Sequence, residues 1–130
     1  MSVAPPTVLI HVLLIEDHYL LRPILERTLA SAGYRVTVAE SSDQAVSLIE
    51  GGIRPDILLS DVRMTGRMNG LDFARLTRQR YPSTAILLQT GYADADTGDF
   101  RVLRKPYDPD MLLSAIAELL ACRTNDLPAR

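Results

Sequence analysis

A doubly wound α/β fold, with a parallel sheet covered by helices on both faces, is predicted for this 130-residue chain by two observations. Short apolar runs of strand length alternate with segments of helical periodicity, which is the pattern of successive βα units. Four of these runs end in polar residues, and an open parallel sheet places its functional site beyond the carboxyl ends of its strands. We therefore expect one domain of five βα units with a site at one edge of the sheet.

The predicted strands differ in how far their side chains are expected to be buried. Continuous apolar runs predict buried strands, whereas the alternation of polar and apolar side chains in residues 34–39 predicts a strand nearer an edge. Residues 102–104 form the short last strand. In chain order, the strands are predicted at residues 8–15, 34–39, 57–60, 84–89 and 102–104.

The helices are predicted from apolar positions that recur on one face and from residues that favour helix ends. Ser41 or Ser42 caps the second helix and Gly51 follows its end, while Pro109 begins the last helix. The fourth helix is weak, because Gly98 and three aspartates are poor helix formers. In chain order, the helices are predicted at residues 18–32, 42–50, 71–81, 93–100 and 109–122.

The composition and the chain ends limit where the protein acts. We expect a flexible lead-in at residues 1–7, a folded domain at residues 8–122 and a frayed tail at residues 123–130. A net charge of −2 without blocks of like charge disfavours binding to nucleic acid or to a membrane. Cys122, predicted to be partly buried, cannot form an internal disulfide, and the N-terminus lacks the features of a signal peptide. These features predict a cytoplasmic protein.

The polar residues that follow the strands form one chemical group. Glu16 and Asp17 follow the first strand, Asp61 the third, Thr90 the fourth and Lys105 the fifth. Lys105 is the only lysine among the 14 lysine and arginine residues, which indicates that a compact ammonium is needed there to meet an anion. We expect these side chains to share one pocket, although each of them taken singly is also compatible with an ordinary loop or helix cap.

This pattern resembles the receiver domains of two-component response regulators. The resemblance covers about residues 8–122 and implies a flavodoxin-like fold, a five-stranded parallel sheet of order 2-1-3-4-5 with helices on both faces. It is carried by the pair Glu16-Asp17, the DVRM segment at Asp61, the MNGLDFAR segment from Met68, Thr90-Gly91 and Lys105-Pro106.

The resemblance implies phosphoryl transfer to Asp61 from a phospho-histidine. Asp61 would become an aspartyl phosphate, while Lys105 and Thr90 would contact the phosphoryl oxygens. The resemblance also implies that the bond between Lys105 and Pro106 is cis, an isomer found in about 5–6% of such bonds in folded proteins.

A cation is expected beside the carboxylates, because a carboxylate and a phosphoryl dianion repel one another. Glu16, Asp17 and Asp61 offer the hard oxygen ligands that Mg²⁺ prefers. The resemblance adds the backbone carbonyl of Arg63 to this set. We therefore expect a magnesium cofactor.

Two departures from the family pattern are visible. The loop after Asp61 has Thr65 in place of the usual proline and contains one extra residue before Gly70. Val102 stands where the family usually has an aromatic residue that swings inward on activation. We therefore expect phosphorylation to order residues 93–100, with Thr90 pulling the segment that begins at Gly91 and changing the exposure of Tyr92.

The resulting interpretation is a single-domain response regulator that catalyses only its own phosphorylation and dephosphorylation. Its expected partners are a sensor histidine kinase or histidine phosphotransfer protein, an unknown downstream protein and, after phosphorylation, a second copy of the chain. One alternative is a phosphatase with an aspartate nucleophile, but that reaction needs an acid two residues after the nucleophile, where Arg63 stands. A second alternative is an interaction module that is never phosphorylated, against which the intact set of acids, threonine and lysine argues.

Overall fold

The described residues contain five strands and four helices. The structure is a computed structural model that describes residues 9–64, 66–91 and 97–126, with side chains as far as residue 122. The strands are β1 His11–Ile15, β2 Arg35–Ala39, β3 Ile57–Asp61, β4 Ala85–Thr90 and β5 Arg101–Arg104. The helices are α1 Leu21–Ser31, α2 Ser42–Glu50, α3 Gly70–Arg80 and α4 Pro109–Asp126.

The strands form one parallel sheet of order β2-β1-β3-β4-β5, which confirms the predicted topology. β2 lies at an edge, as its alternating sequence predicts. The register aligns the carboxyl ends of the strands: Asp61 is the partner of Gln89, and Thr90 is the partner of Arg104. Residues far apart in sequence therefore meet at one edge of the sheet.

The core lies on both faces of this sheet. β1 and β3 are buried along their whole length, and alternate side chains enter two apolar clusters. Leu14 and Leu59 pack with α1 and α4 on one face, whereas Leu13 and Leu58 pack with α2 and α3 on the other. Burying each such leucine stabilises the fold by roughly 1.5–3 kcal/mol, so the inner strands form a stable support for the edge where the site lies.

The structure differs from the prediction in the connection between β4 and β5. Residues 93–96 of the predicted fourth helix lie outside the described residues, and residues 97–100 form a turn rather than a helix. Gly98 adopts a φ of +58°, which is unfavourable for the interior of a right-handed helix. Phe100 is buried among the residues that cover the α2 and α3 face of the sheet.

The first and last helices also differ from their predicted extents. α1 begins at Leu21 rather than residue 18, because His18 forms a turn in which its ring Nδ1 accepts the backbone N–H groups of Leu20 and Leu21. α4 continues to Asp126, since no proline interrupts it before Pro128. Cys122 is exposed, in contrast to the partial burial expected.

No helix in the described ranges combines the length and apolar character required to cross a membrane.

Candidate functional site

The carboxyl edge of the sheet brings three carboxyl groups and one ammonium together, as the sequence predicts. Oxygen atoms of Glu16, Asp17 and Asp61 all lie within 4.8 Å of one another. The Lys105 Nζ lies 2.8 Å from Asp61 Oδ1 and 3.8 Å from Glu16 Oε1. Glu16 and Asp61 are buried whereas Asp17 is exposed, so the group is open to solvent on the Asp17 side.

Strand alternation explains why these side chains converge. Glu16, Asp61 and Lys105 each stand two positions after a leucine of the cluster that packs against α1 and α4. Because side chains two residues apart lie on the same face of a strand, each polar group continues an apolar row of the core. The aligned register of β1 and β3 then places Glu16 and Asp61 side by side.

Asp61 has a strongly perturbed acidity. Burial, followed by the neighbouring Glu16 carboxyl, raises the pKa of Asp61 from 3.8 to about 7, and Lys105 opposes this increase. In the absence of a cation, the protonated and ionised forms of this carboxyl are therefore both present near neutral pH. A perturbed group of this kind at an edge where sites are expected is a candidate for chemistry.

The backbone of Asp61 is held by Gly70, the first residue of α3. A Cβ atom added to Gly70 would lie 1.7 Å from the carbonyl oxygen of Asp61. The Gly70 N–H donates a 2.7 Å hydrogen bond to the Val62 carbonyl. Only glycine allows α3 to begin this close to the acidic residue.

The lengthened loop between β3 and α3 is attached to the start of α2. The Ser42 Oγ accepts a 3.2 Å hydrogen bond from the Met68 N–H, and the Asp43 carboxylate accepts a 3.3 Å bond from the Arg67 N–H. Gly66 has a φ of +118°, and an added Cβ would lie 2.2 Å from the Ser42 Oγ. Thr65, the residue that replaces the family's proline, lies outside the described residues.

Thr90 and Arg63 both lie near the carboxyl edge of the sheet, at the end of β4 and in the loop after β3. Thr90 is the buried last residue of β4, one position beyond Gln89, the register partner of Asp61. Its carbonyl accepts the Lys105 N–H at 2.8 Å, which joins β4 to the start of the next loop. Arg63 is exposed in the loop after β3. The Lys105-Pro106 bond is cis, as expected.

Two site residues were missed by the sequence analysis. The Gln89 Nε2 donates a 3.0 Å hydrogen bond to Glu16 Oε1, and the Gln89 Oε1 accepts a hydrogen bond from the Tyr107 hydroxyl. Gln89 is fully buried, although it is polar. The only sign of this role in the sequence is one amide side chain at the end of an apolar strand. A single polar residue is also expected at that position when a strand ends without any functional role.

The donor set fits a hard divalent cation. Three carboxylates and one ammonium leave a negative excess when all are ionised, and every candidate ligand atom is an oxygen. Mg²⁺ prefers such ligands and retains several waters, which the exposed Asp17 side can accommodate. The residues present are therefore suited to holding Mg²⁺.

A flavodoxin-like sheet with an acidic group and a lysine at its carboxyl edge defines a signalling receiver fold. Residues 12–117 match the family described as the response regulator receiver domain, and the chain belongs to this family. The predicted resemblance and the predicted fold are both confirmed.

Individual relatives agree with this assignment. The DNA-binding transcriptional regulator NtrC of Salmonella typhimurium is 32% identical over 114 residues, which cover 82% of this chain and 24% of that protein. The chain thus spans about a quarter of the length of this curated relative.

Two solved structures also resemble the whole domain. A response regulator receiver protein from Sinorhizobium medicae has a TM-score of 0.80 at 28% identity, covering 88% of this chain and 97% of that one. The chemotaxis protein CheY4 of Vibrio cholerae has a TM-score of 0.76 at 28% identity, covering 86% and 99%.

Proposed function

We propose that this receiver domain accepts a phosphoryl group on Asp61 from a phospho-histidine in a two-component phosphorelay. The observation that carries the proposal is the 2.8 Å contact between Lys105 Nζ and Asp61 Oδ1 inside a group of three carboxyls at the sheet edge. A buried nucleophile, a neighbouring cation and a ligand set for Mg²⁺ are the groups that this transfer requires.

The transfer balances without any further reactant. A carboxylate oxygen of Asp61 attacks phosphorus, the bond between phosphorus and the histidine nitrogen breaks, and the imidazole leaves with a proton from solvent. The Lys105 ammonium and the Thr90 hydroxyl contact the transferring oxygens. Glu16, Asp17 and Asp61, together with the Arg63 carbonyl that the family resemblance implies, would hold Mg²⁺, which would supply positive charge to offset repulsion between the two anionic groups.

The surface beside Lys105 supports a protein as the phosphoryl donor. Leu20 and Ile24 expose 58% and 60% of their surfaces, although they are large apolar residues next to the site. A largely apolar cavity of about 340 Å³ lies between α1 and the start of α4, and Lys105 lines it. A kinase or phosphotransfer helix that covers this surface would bring its phospho-histidine to the edge where Asp61 lies.

The output is proposed to be a change at the segment after Thr90, read by a downstream protein or by a second copy of the chain. Residues 8–122 would form the receiver as a single-domain regulator in the cytoplasm, without binding to nucleic acid or membrane. Its chemistry would be limited to its own phosphorylation and dephosphorylation.

Mass measurement tests this proposal directly. The chain is incubated with Mg²⁺ and phosphoramidate, and its intact mass is followed with time. We expect one added phosphoryl group in the wild type and in Asp72→Asn, a control at an exposed position of α3. We expect none in Asp61→Asn. An unmodified wild type would contradict the proposal, and sustained turnover of unrelated phosphate esters would favour the phosphatase instead.

A further inference from the structure

Gln89 is a fully buried polar side chain that lies beside the site and that the proposed transfer does not use. It lies between two groups of opposite hydrogen-bonding character. Its amide nitrogen donates to Glu16 Oε1 at 3.0 Å, and its amide oxygen accepts the hydroxyl of Tyr107. Burying an amide is unfavourable unless its donors and acceptors are paired, and here both ends are paired.

The Glu16 carboxylate sets the direction in which this amide points, because an ionised carboxylate only accepts hydrogen bonds. A side-chain amide turned by 180° would place its oxygen against the Glu16 carboxylate, where two acceptors would face each other. At the other end of the amide, the Tyr107 hydroxyl donates to the Gln89 oxygen and pairs it. One hydrogen-bonded row therefore joins the loop after β5, the end of β4 and the end of β1.

The same Glu16 oxygen lies between two donors. Glu16 Oε1 is 3.0 Å from the Gln89 nitrogen but 3.8 Å from Lys105 Nζ, while Lys105 lies 2.8 Å from Asp61. If the amide donor were removed, Lys105 would be the one of these two donors that remained for Glu16 Oε1. An approach of Lys105 to Glu16 would weaken its contact with Asp61.

We propose that Gln89 is a positioning residue that holds Glu16 for the metal site and leaves Lys105 paired with Asp61. The inference rests on the proposed function, because it assigns Gln89 to the same site. Partners that orient metal ligands from behind typically change metal affinity by about 10–100-fold when they are removed. We therefore expect loss of the amide to raise the Mg²⁺ dissociation constant roughly tenfold.

The test uses the only lysine of the sequence as a reporter. Protein grown with ¹³C- and ¹⁵N-labelled lysine gives one side-chain signal, which is followed by NMR without metal and then during a Mg²⁺ titration. Gln89→Met retains the length of the side chain but removes both hydrogen bonds. Leu88→Met is the matched control, since Leu88 is an equally buried neighbour in β4 that packs on the opposite face.

We expect the metal-free lysine signal to shift in Gln89→Met and its Mg²⁺ dissociation constant to rise roughly tenfold, while Leu88→Met matches the wild type. Tyr107→Phe retains the Gln89 amide but removes the hydroxyl that donates to its oxygen, so the amide is held less firmly and a smaller change of the same sign is expected. If Gln89→Met does not fold, the Tyr107→Phe result decides the question.

Each alternative outcome has a distinct meaning. A wild-type lysine signal and Mg²⁺ affinity in folded Gln89→Met would overturn the positioning role while leaving the proposed function intact, as would an unchanged Tyr107→Phe if only that variant folds. A shift of equal size in Leu88→Met would also overturn it, because any repacking of β4 would then suffice. A wild type that neither binds Mg²⁺ nor accepts phosphate would overturn the proposed function itself.

Discussion

Two segments lead away from the site, and the structure attaches them in different ways. The β3–α3 loop, residues 62–69, follows Asp61 and is bound at its backbone by the buried Ser42 and by the close approach of Gly70. The β4–β5 connection, residues 91–100, follows Thr90, and the side chains of Asp99 and Phe100 contact α3 at its described end. The first segment is therefore held at its backbone beside the acceptor, whereas these contacts of the second are made by side chains.

The attachments of the β4–β5 connection lie on α3. The Arg78 guanidinium stacks over the buried Phe100 ring at 3.9 Å and pairs with Asp99 at 2.8 Å. The pairing with Arg78 lowers the pKa of Asp99, but both partners are exposed. Exposed ion pairs contribute little to stability, so the buried Phe100 ring is the stronger of these two attachments.

The largest expected effect comes from breaking the fixed segment at Gly70. In Gly70→Ala, the new Cβ would lie 1.7 Å from the Asp61 carbonyl oxygen, so α3 or β3 must shift. We expect the free energy of unfolding to fall by about 4 kcal/mol or more, measured by denaturant titration. Gly51→Ala is the control, because its added Cβ would be no closer than 3.3 Å to its surroundings. Equal stability of the two variants would contradict the fixed contact.

Removing the anchor of the second segment should have the next largest effect. Phe100→Ala leaves a cavity against the α2 and α3 face, and we expect a loss of about 3–4 kcal/mol in chemical unfolding. Phe100→Leu retains apolar volume and should restore most of this stability. Should Phe100→Ala unfold at the same denaturant concentration as the wild type, the connection would not depend on this ring.

The ionisation of Asp61 predicts how the stability of the protein changes with pH. The pKa of Asp61 is raised to about 7 in the folded protein, so the stability that its protonated form provides is present at acidic pH and is lost as the pH rises through 7. Between pH 5 and pH 8, metal-free protein should therefore lose up to about 3 kcal/mol of stability.

Denaturant titrations in chelator at several pH values measure this loss. Asp61→Asn carries no titrating group at the position, so the difference in stability between the variant and the wild type should grow with pH. A difference that is independent of pH would mean that the Asp61 carboxyl titrates at its ordinary value in the folded state.

A smaller effect is expected when the β3–α3 loop is released from α2. Ser42→Ala removes the acceptor of the Met68 N–H, and we expect a loss of about 1–2 kcal/mol with faster amide exchange at residues 66–68. Ser47→Ala, on an exposed part of α2, is the control and should exchange like the wild type. Protection that survives in Ser42→Ala would show that the loop is held elsewhere.

The smallest effect is expected for Arg78→Met. The cation–π contact with Phe100 contributes only about 0.5–1 kcal/mol at an exposed site, so global stability should change little. Amide exchange should nevertheless increase at residues 98–100 and not at residues 66–68. Arg80→Met, on the same helix, should leave both regions unchanged. If amide exchange became faster by the same factor in both regions, the two segments would not be attached independently of one another.

Much of the fold could be predicted because apolar runs and strand ends carry local signals. Glu16, Asp61 and Lys105 are visible in the sequence because each is a polar residue at the end of a predicted strand, and parallel pairing then brings the three together. The turn at residues 97–100 was harder to predict, since Gly98 and its acidic neighbours weaken a helix without specifying what replaces it.

The remaining features depend on contacts between distant elements. Ile24 is an apolar residue of α1 that is largely exposed, because helical periodicity does not reveal which part of an apolar face is covered. Gln89 acquires its role only from Glu16 and Tyr107, which are 73 and 18 residues away in sequence. No local pattern could have indicated that its amide bridges them.

The single lysine has a practical consequence for handling the protein on surfaces. Lys105 is 29% exposed at its side chain, so reagents that couple to amines would attach the protein to a sensor chip through its own site or its N-terminus. The exposed Cys122 offers a better handle, because it lies roughly 20 Å along α4 from Pro109, at a rise of 1.5 Å per residue. Immobilisation through this thiol would leave the carboxyl edge of the sheet facing the solution.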